Sequence, residues 1–216
     1  MPERWVRERK QDAYYRLAKR TGYRSRAAFK LQQIASRYGV LRRGAVVVDL
    51  GCAPGGWSQV AREMVGEQGL VVGVDLARTA PLPGVRFLRG DITRAETLDA
   101  VRAELRRRGG RADVLISDLS PNISGVYSVD QAKSVVLAGR ALSAARALLR
   151  PKGHLVVKVF EGEDFSTFLR EVRSAFYHVK VFAPPATRKQ SSEVYIVAKG
   201  FRGGGRRVSR PSREEE

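Results

Sequence analysis

The chain holds nine lysines against 31 arginines. Arginine keeps its proton inside a protein, whereas a buried lysine can lose it and act as a base. Lys158 therefore stands out, because it interrupts the apolar run Val156-Val157-Lys158-Val159-Phe160. A cation in such a run must be paired, reach an edge, or be neutral. Three more polar residues sit at comparable places: Lys30 within RSRAAFKL (24–31), Asp118 after Ile116-Ser117, and Glu193 at the head of Glu193-Val194-Tyr195. Where these four meet, desolvation and Lys30 favour the neutral Lys158 amine, while Asp118 and Glu193 favour the ammonium. The residue types leave that balance open. An accessible neutral amine can take the proton of an attacking hydroxyl. On its own, Lys158 also reads as a structural ion pair at a strand end.

A second group lies in Val48-Asp49-Leu50-Gly51-Cys52-Ala53-Pro54-Gly55-Gly56-Trp57-Ser58. Gly51, Gly55 and Gly56 let backbone approach a ligand with no Cβ in the way. Their spacing, G-x-x-x-G-G, is not the G-x-G-x-x-G pyrophosphate fingerprint, and a nicotinamide oxidoreductase fails on that ground. Pro54 also removes a backbone donor that a phosphate would use. Downstream, Asp75 ends LVVGVD and Asp91 ends RGD. A carboxylate at the first place can accept ribose hydroxyls, and one at the second an adenine amino group. Acceptors aimed at neutral donors fit adenosine without phosphate, as in S-adenosylmethionine. Cys52 reads as a small buried filler.

The elements that carry these residues alternate. Strand candidates are 45–50, 70–76, 85–91, 113–119, 154–160, 178–182 and 193–200, and helix candidates are 57–65, 95–108, 128–150 and 164–176. Near-continuous apolar strands separated by helices predict a doubly wound, mostly parallel α/β sheet. Only APPATRKQSS separates the last two strands, too short for a parallel crossover, so the seventh strand should run antiparallel. This is the architecture of the Rossmann-like class I methyltransferases. The segment 1–43 reads as a basic helical extension that binds RNA, with a helix over Ala27–Tyr38 and Ser25 as a cap, and the methyltransferase-like domain spans 44–200. The Arg/Gly-rich tail 201–216 reads as disordered.

Charge narrows the partner. The chain carries a net +18, of which 1–43 supplies +10 (13 basic, three acidic) with Trp5, Tyr14, Tyr15, Tyr23 and Phe29 interleaved. Clustered cations among aromatics suit a nucleic-acid backbone; a solvated amphipathic helix is the plainer reading. No stretch approaches 18 apolar residues and no apolar leader opens the chain, so a cytoplasmic protein without a membrane partner is expected. One cysteine and two histidines, His154 and His178, offer no usual zinc shell, and no metal is expected.

Taken together, RSRAAFKL (24–31), VVDLGCAPGGWSQV (47–60), GVDL (73–76), ISDLSPNISG (116–125), VVKVFEGEDF (156–165) and SSEVYIVA (191–198) resemble the FtsJ/RrmJ-type (RlmE) ribosomal RNA 2′-O-ribose methyltransferases over about residues 20–200. The resemblance implies that Lys30, Asp118, Lys158 and Glu193 are the catalytic set, with Lys158 as general base. It implies that Gly55, Trp57, Asp75, Asp91 and Asp118 contact S-adenosylmethionine. The implied reaction is 2′-O-methylation of a ribose, a uridine, in 23S large-subunit ribosomal RNA by a monomer acting on the RNA or the large subunit. Two departures are mild: Cys52 stands where alanine is common, and the Arg/Gly tail has no counterpart. A transfer RNA anticodon-loop methyltransferase and a non-catalytic ribosome-assembly factor are the rival readings.

Overall fold

Valine and isoleucine, stiff at Cβ and well suited to a pleated surface, set the sheet. The computed structural model describes residues 12–188 and 190–203. Its strands are β1 (Val46–Leu50), β2 (Leu70–Asp75), β3 (Val85–Arg89), β4 (Ala112–Ser117), β5 (Leu149–Phe160), β6 (Phe176–Phe182) and β7 (Glu193–Phe201). They form one sheet in the order β3-β2-β1-β4-β5-β7-β6. The ladders β3-β2-β1-β4-β5 are parallel, and β7 pairs antiparallel with both β5 and β6. The chain leaves β1 in one direction toward β2 and returns on the other side as β4. A crevice therefore opens at the carboxyl ends of β1 and β4, where such sheets bind ligands.

Among the described residues six α-helices flank the sheet: α1 (Ala13–Thr21), α2 (Ala28–Tyr38), α3 (Gly56–Val65), α4 (Ala95–Leu105), α5 (Tyr127–Leu148) and α6 (Phe165–Ala175). Val101, Leu105, Leu142, Leu148, Phe168 and Val172 from α4, α5 and α6 join Val48, Leu115 and Val157 in the core on one face. On the other face Leu31 and Ile34 of α2 and Val60 and Val65 of α3 pack on Val47, Ile116 and Val156. This is a three-layer α/β/α domain. Segment α2 belongs to that core, so Lys30 is carried by a helix packed on the sheet.

Three details depart from the expectation. Helix α1 falls in the stretch expected to be helical but had no bounds assigned: it is short, capped by Asp12, whose carboxylate accepts from Tyr15 N, and stopped by Gly22 at φ 77°. Ser25 does not cap α2, whose N-cap is Ala27 without a side-chain bond; Ser25 instead packs against Gly56, where a Cβ would stand 2.2 Å from its Oγ. Strand β5 begins at Leu149 rather than His154, and α5 stops at Leu148. The reason is a bulge: Leu149 pairs with Ala112 and His154 with Val114, so the intervening residues loop out opposite Asp113. The Asp113 carboxylate ties β1 to the looped-out stretch, accepting from Val46 N at 2.8 Å and Arg150 Nε at 2.7 Å. Residues 1–11 and 204–216, which include Trp5 and most of the expected disordered tail, lie outside the described residues.

Candidate active site

Strand pairing assembles the polar set. Lys158 on β5 is in register with Tyr195 on β7, and Phe160 with Glu193. The Lys158 Nζ donates to the Asp118 carbonyl oxygen at 2.8 Å and lies 3.1 Å from Asp118 Oδ1, with 5% of its side chain exposed. Lys30 Nζ, delivered by α2, donates to Glu193 Oε1 at 2.6 Å. The four sequence-predicted residues thus form two ion pairs at one edge of the sheet.

Tyr195 joins them. Its hydroxyl donates to Asp118 Oδ1 at 2.9 Å, and Lys30 Nζ stands 5.9 Å from its ring centroid. Burial raises the phenol well above its ordinary range, and the Asp118 and Glu193 charges add to that. The hydroxyl therefore stays protonated and serves as a donor. Sequence reading passed over this residue, because an aromatic in a strand reads as core. Its signal was the two-residue spacing from Glu193, which puts both side chains on one face of β7.

Asp118 also belongs to the neighbouring crevice. A cavity of about 330 Å³ is lined by Gly51, Asp75, Asp91 and Asp118 among polar and backbone groups and by Leu76, Ile92 and Leu137 as apolar wall. Asp75 is shared between loops: its Oδ2 accepts from Ala53 N at 2.9 Å and its Oδ1 from Ala77 N at 2.8 Å. Asp91 accepts from Thr93 N and Oγ1, bonds that hold its carboxyl below the usual range and hence ionised. Gly51, at φ 74°, presses on Leu119, whose nitrogen would lie 3.1 Å from a Cβ.

Gly55, Gly56 and Trp57 are not among the groups that line this cavity. The Trp57 indole donates to Ala27 O at 2.8 Å, and its ring lies 5.6 Å from that of Tyr195. Gly55 and Gly56 face Arg24 and Ser25. These three tie the glycine loop to the segment before α2.

Beneath the loop sits a carboxylate that sequence reading did not single out. Asp49 is fully buried; its Oδ2 accepts from Ser58 Oγ at 2.6 Å and its Oδ1 has no partner among the described residues. Burial pushes this carboxyl up to about 7, with Asp118 and Asp75 adding to the rise and the Ser58 bond opposing it. An acid within an all-apolar strand was the available signal, the same oddity that marked Lys158. Cys52 is buried, and burial pushes its thiol up to about 12, so it makes no ready nucleophile.

The donor set suits a nucleoside. Carboxylate acceptors and apolar walls line the cavity, and Arg140 is the cation among its lining residues. These groups fit the adenosyl part of S-adenosylmethionine. Among the described residues no three His, Cys, Asp or Glu side chains stand close enough to hold a metal ion, and no helix is long and apolar enough to cross a membrane.

Comparison with known proteins places this geometry among relatives. The FtsJ-like methyltransferase family matches residues 23–201. A protein of Methanothrix thermoacetophila named ribosomal RNA large subunit methyltransferase E is 52% identical over 189 residues, which is 88% of this chain and 72% of that protein. A protein of the same name from Methanobrevibacter smithii is 45% identical over 94% of this chain and 96% of its own length. Among solved structures, one described as a ribosomal RNA methyltransferase from Plasmodium falciparum superposes with a TM-score of 0.72 at 26% identity, covering 84% of this chain and all of that one.

Proposed function

The chain belongs to the FtsJ-like methyltransferase family, and on that premise we propose that it methylates the 2′-oxygen of a uridine ribose in large-subunit ribosomal RNA, with S-adenosylmethionine as donor. The observation that carries the reading is the buried pair of Lys158 and Asp118, in which Asp118 is also a wall of the nucleoside-sized crevice. Relatives at 45–52% identity named for large-subunit ribosomal RNA support the substrate.

Bound in the crevice, S-adenosylmethionine supplies an electrophilic methyl group. The residues of the chain do the rest. Asp75 and Asp91 take the neutral donors of the adenosyl group. Lys158 directs one N–H to the Asp118 carbonyl and faces Oδ1 with another. Once the ammonium has given up a proton, these two contacts take its remaining N–H bonds and leave the lone pair for the sugar hydroxyl. As general base Lys158 would take the hydroxyl proton; the bound donor would supply the methyl, its sulfur keeping the electron pair of the broken carbon–sulfur bond. Tyr195 donates to that same Oδ1 and holds Asp118 in place. Lys30, fixed by Glu193, adds positive charge where the alkoxide develops. Most of the acceleration comes from holding hydroxyl and methyl in line. The 2′-hydroxyl distinguishes RNA from DNA, so the nucleic acid follows from the reaction.

The test is incubation of the protein with labelled S-adenosylmethionine and large subunits from a strain lacking the activity, followed by nucleotide mapping. A single 2′-O-methyluridine in the 23S RNA is expected. Label confined to transfer RNA in a parallel reaction would redirect the substrate, and no label in either would leave a non-catalytic RNA-binding factor.

A further inference from the structure

Arg24, the first residue of RSRAAFKL, bridges from outside the two loops that Asp75 joins from within. Its Nη1 donates to Ala80 O at 2.6 Å and to Pro54 O at 3.3 Å, and its Nη2 to Pro81 O at 2.6 Å. Pro54 lies in the glycine loop, while Ala80 and Pro81 lie in the loop that follows Asp75 and Leu76 of the crevice wall. The base of the bridge is anchored too: Arg24 N donates to Gln59 Oε1 of α3 at 2.7 Å, and Gln59 Nε2 donates to Gly22 O at 3.0 Å. Gly55 leaves the room for it, since a Cβ there would stand 2.9 Å from Nη1 and 3.0 Å from Cδ. A guanidinium held by three carbonyls cannot swing aside without losing them.

We propose that Arg24 is a positioning residue for the cofactor: its fork fixes the loop after β2 against the glycine loop and so sets affinity for the adenosyl group. The proposal rests on the S-adenosylmethionine reading of the crevice. Arginine is needed because its planar fork presents several donors at fixed angles, whereas lysine offers one compact charge on a flexible stem. A role in general electrostatic attraction would survive replacement by lysine; a bridge would not.

The experiment compares the full chain with its Arg24→Ala and Arg24→Lys variants. It measures Kd for S-adenosylhomocysteine by calorimetry, KM for the donor and kcat on ribosomal RNA, and amide hydrogen exchange across 76–84. In both variants Kd and KM should rise roughly tenfold, the scale of one or two lost hydrogen bonds. The kcat at saturating donor should stay within about threefold of the wild type. Exchange across 76–84 should quicken while β1 and β4 stay as protected as before. An unchanged Kd, restoration of wild-type affinity by lysine, or unchanged exchange in the loop would each overturn the proposal. Should Arg24→Ala fail to fold, Arg24→Lys, which keeps the stem and charge, supplies all three readouts. Wild-type protein without affinity for S-adenosylhomocysteine would instead remove the cofactor reading, and the proposal with it.

Discussion

At the scale of single residues, two ionisable groups buried inside apolar strands, Lys158 and Asp49, invite different tests. Replacing Lys158 by alanine removes the proposed base but leaves Asp75, Asp91 and the crevice walls in place. We expect affinity for S-adenosylhomocysteine within about threefold of wild type and turnover lowered by about 10²–10⁴, the usual contribution of a general base. Single-turnover methylation is the measurement, and normal rates there would take Lys158 out of the reaction. Asp49 bears on stability instead. Its folded carboxyl is raised from 3.8 to about 7, chiefly by burial, so the folded state holds a proton that the unfolded chain has already released. Its contribution to stability therefore falls as pH rises from about 4 to 7, and levels off above that. The Asp49→Asn variant has no such titration. The difference in unfolding free energy between variant and wild type should thus move in favour of asparagine across that window, as read by urea denaturation at a series of pH values. A difference that stays flat from pH 4 to 8 would show that Asp49 does not titrate there. Lys158 was legible in the sequence because a cation amid valines has few innocent explanations, and Asp118 because it closes an apolar strand, whereas Asp49, an acid after three valines, was overlooked. Tyr195 was not legible, since nothing in an aromatic residue's own neighbourhood says that a carboxylate will arrive from a strand 77 positions earlier.

At the scale of elements, the strands were legible to within a residue or two wherever both faces are buried, as in β1 and β4, because a continuous apolar run leaves no other choice. Legibility failed where a contact between distant segments decides the outcome. The early start of β5 depends on a register shift opposite Asp113, and the position of α1 depends on Ala18 packing with Phe29 and Ala186. The glycine loop shows the same limit. Gly55 and Gly56 read as room for a ligand, yet the neighbours they admit are Arg24 and Ser25. A Gly56→Ala methyl would meet the Ser25 Oγ at 2.2 Å and its Cβ at 3.3 Å. Overpacking of this kind costs about 1–3 kcal/mol. Thermal unfolding of Gly56→Ala should show that loss, and the Gly56→Ala, Ser25→Gly double variant should recover most of it through non-additivity. Simple additivity of the two changes would mean that the close approach is not what fixes glycine at 56.

At the scale of the whole molecule, the question is whether the net charge of +18 acts as a diffuse field or through one surface. Helix α1 exposes Arg16, Lys19 and Arg20 and leads through Arg24 into α2, which carries Lys30 to its ion pair with Glu193. Lys19 also lies over the Tyr15 ring, 5.2 Å from its centroid. If this surface tracks RNA phosphates, each contact made there releases counterions, and the plot of log K against log salt steepens by about 0.7–0.9 per contact. The Arg16→Gln, Lys19→Gln, Arg20→Gln triple variant should weaken binding to ribosomal RNA and flatten that slope by roughly 2 units. The control is a second triple variant, with Arg106, Arg107 and Arg108 changed to glutamine. These three form an exposed 3-10 turn after α4, and their loss changes net charge by the same amount. A field spread over the whole surface would respond to both variants alike. A local interface responds to the first and keeps its slope in the second, because counterions are released only where a phosphate takes their place. Equal losses in a filter-binding series between 50 and 200 mM salt would therefore assign the RNA affinity to total charge rather than to α1.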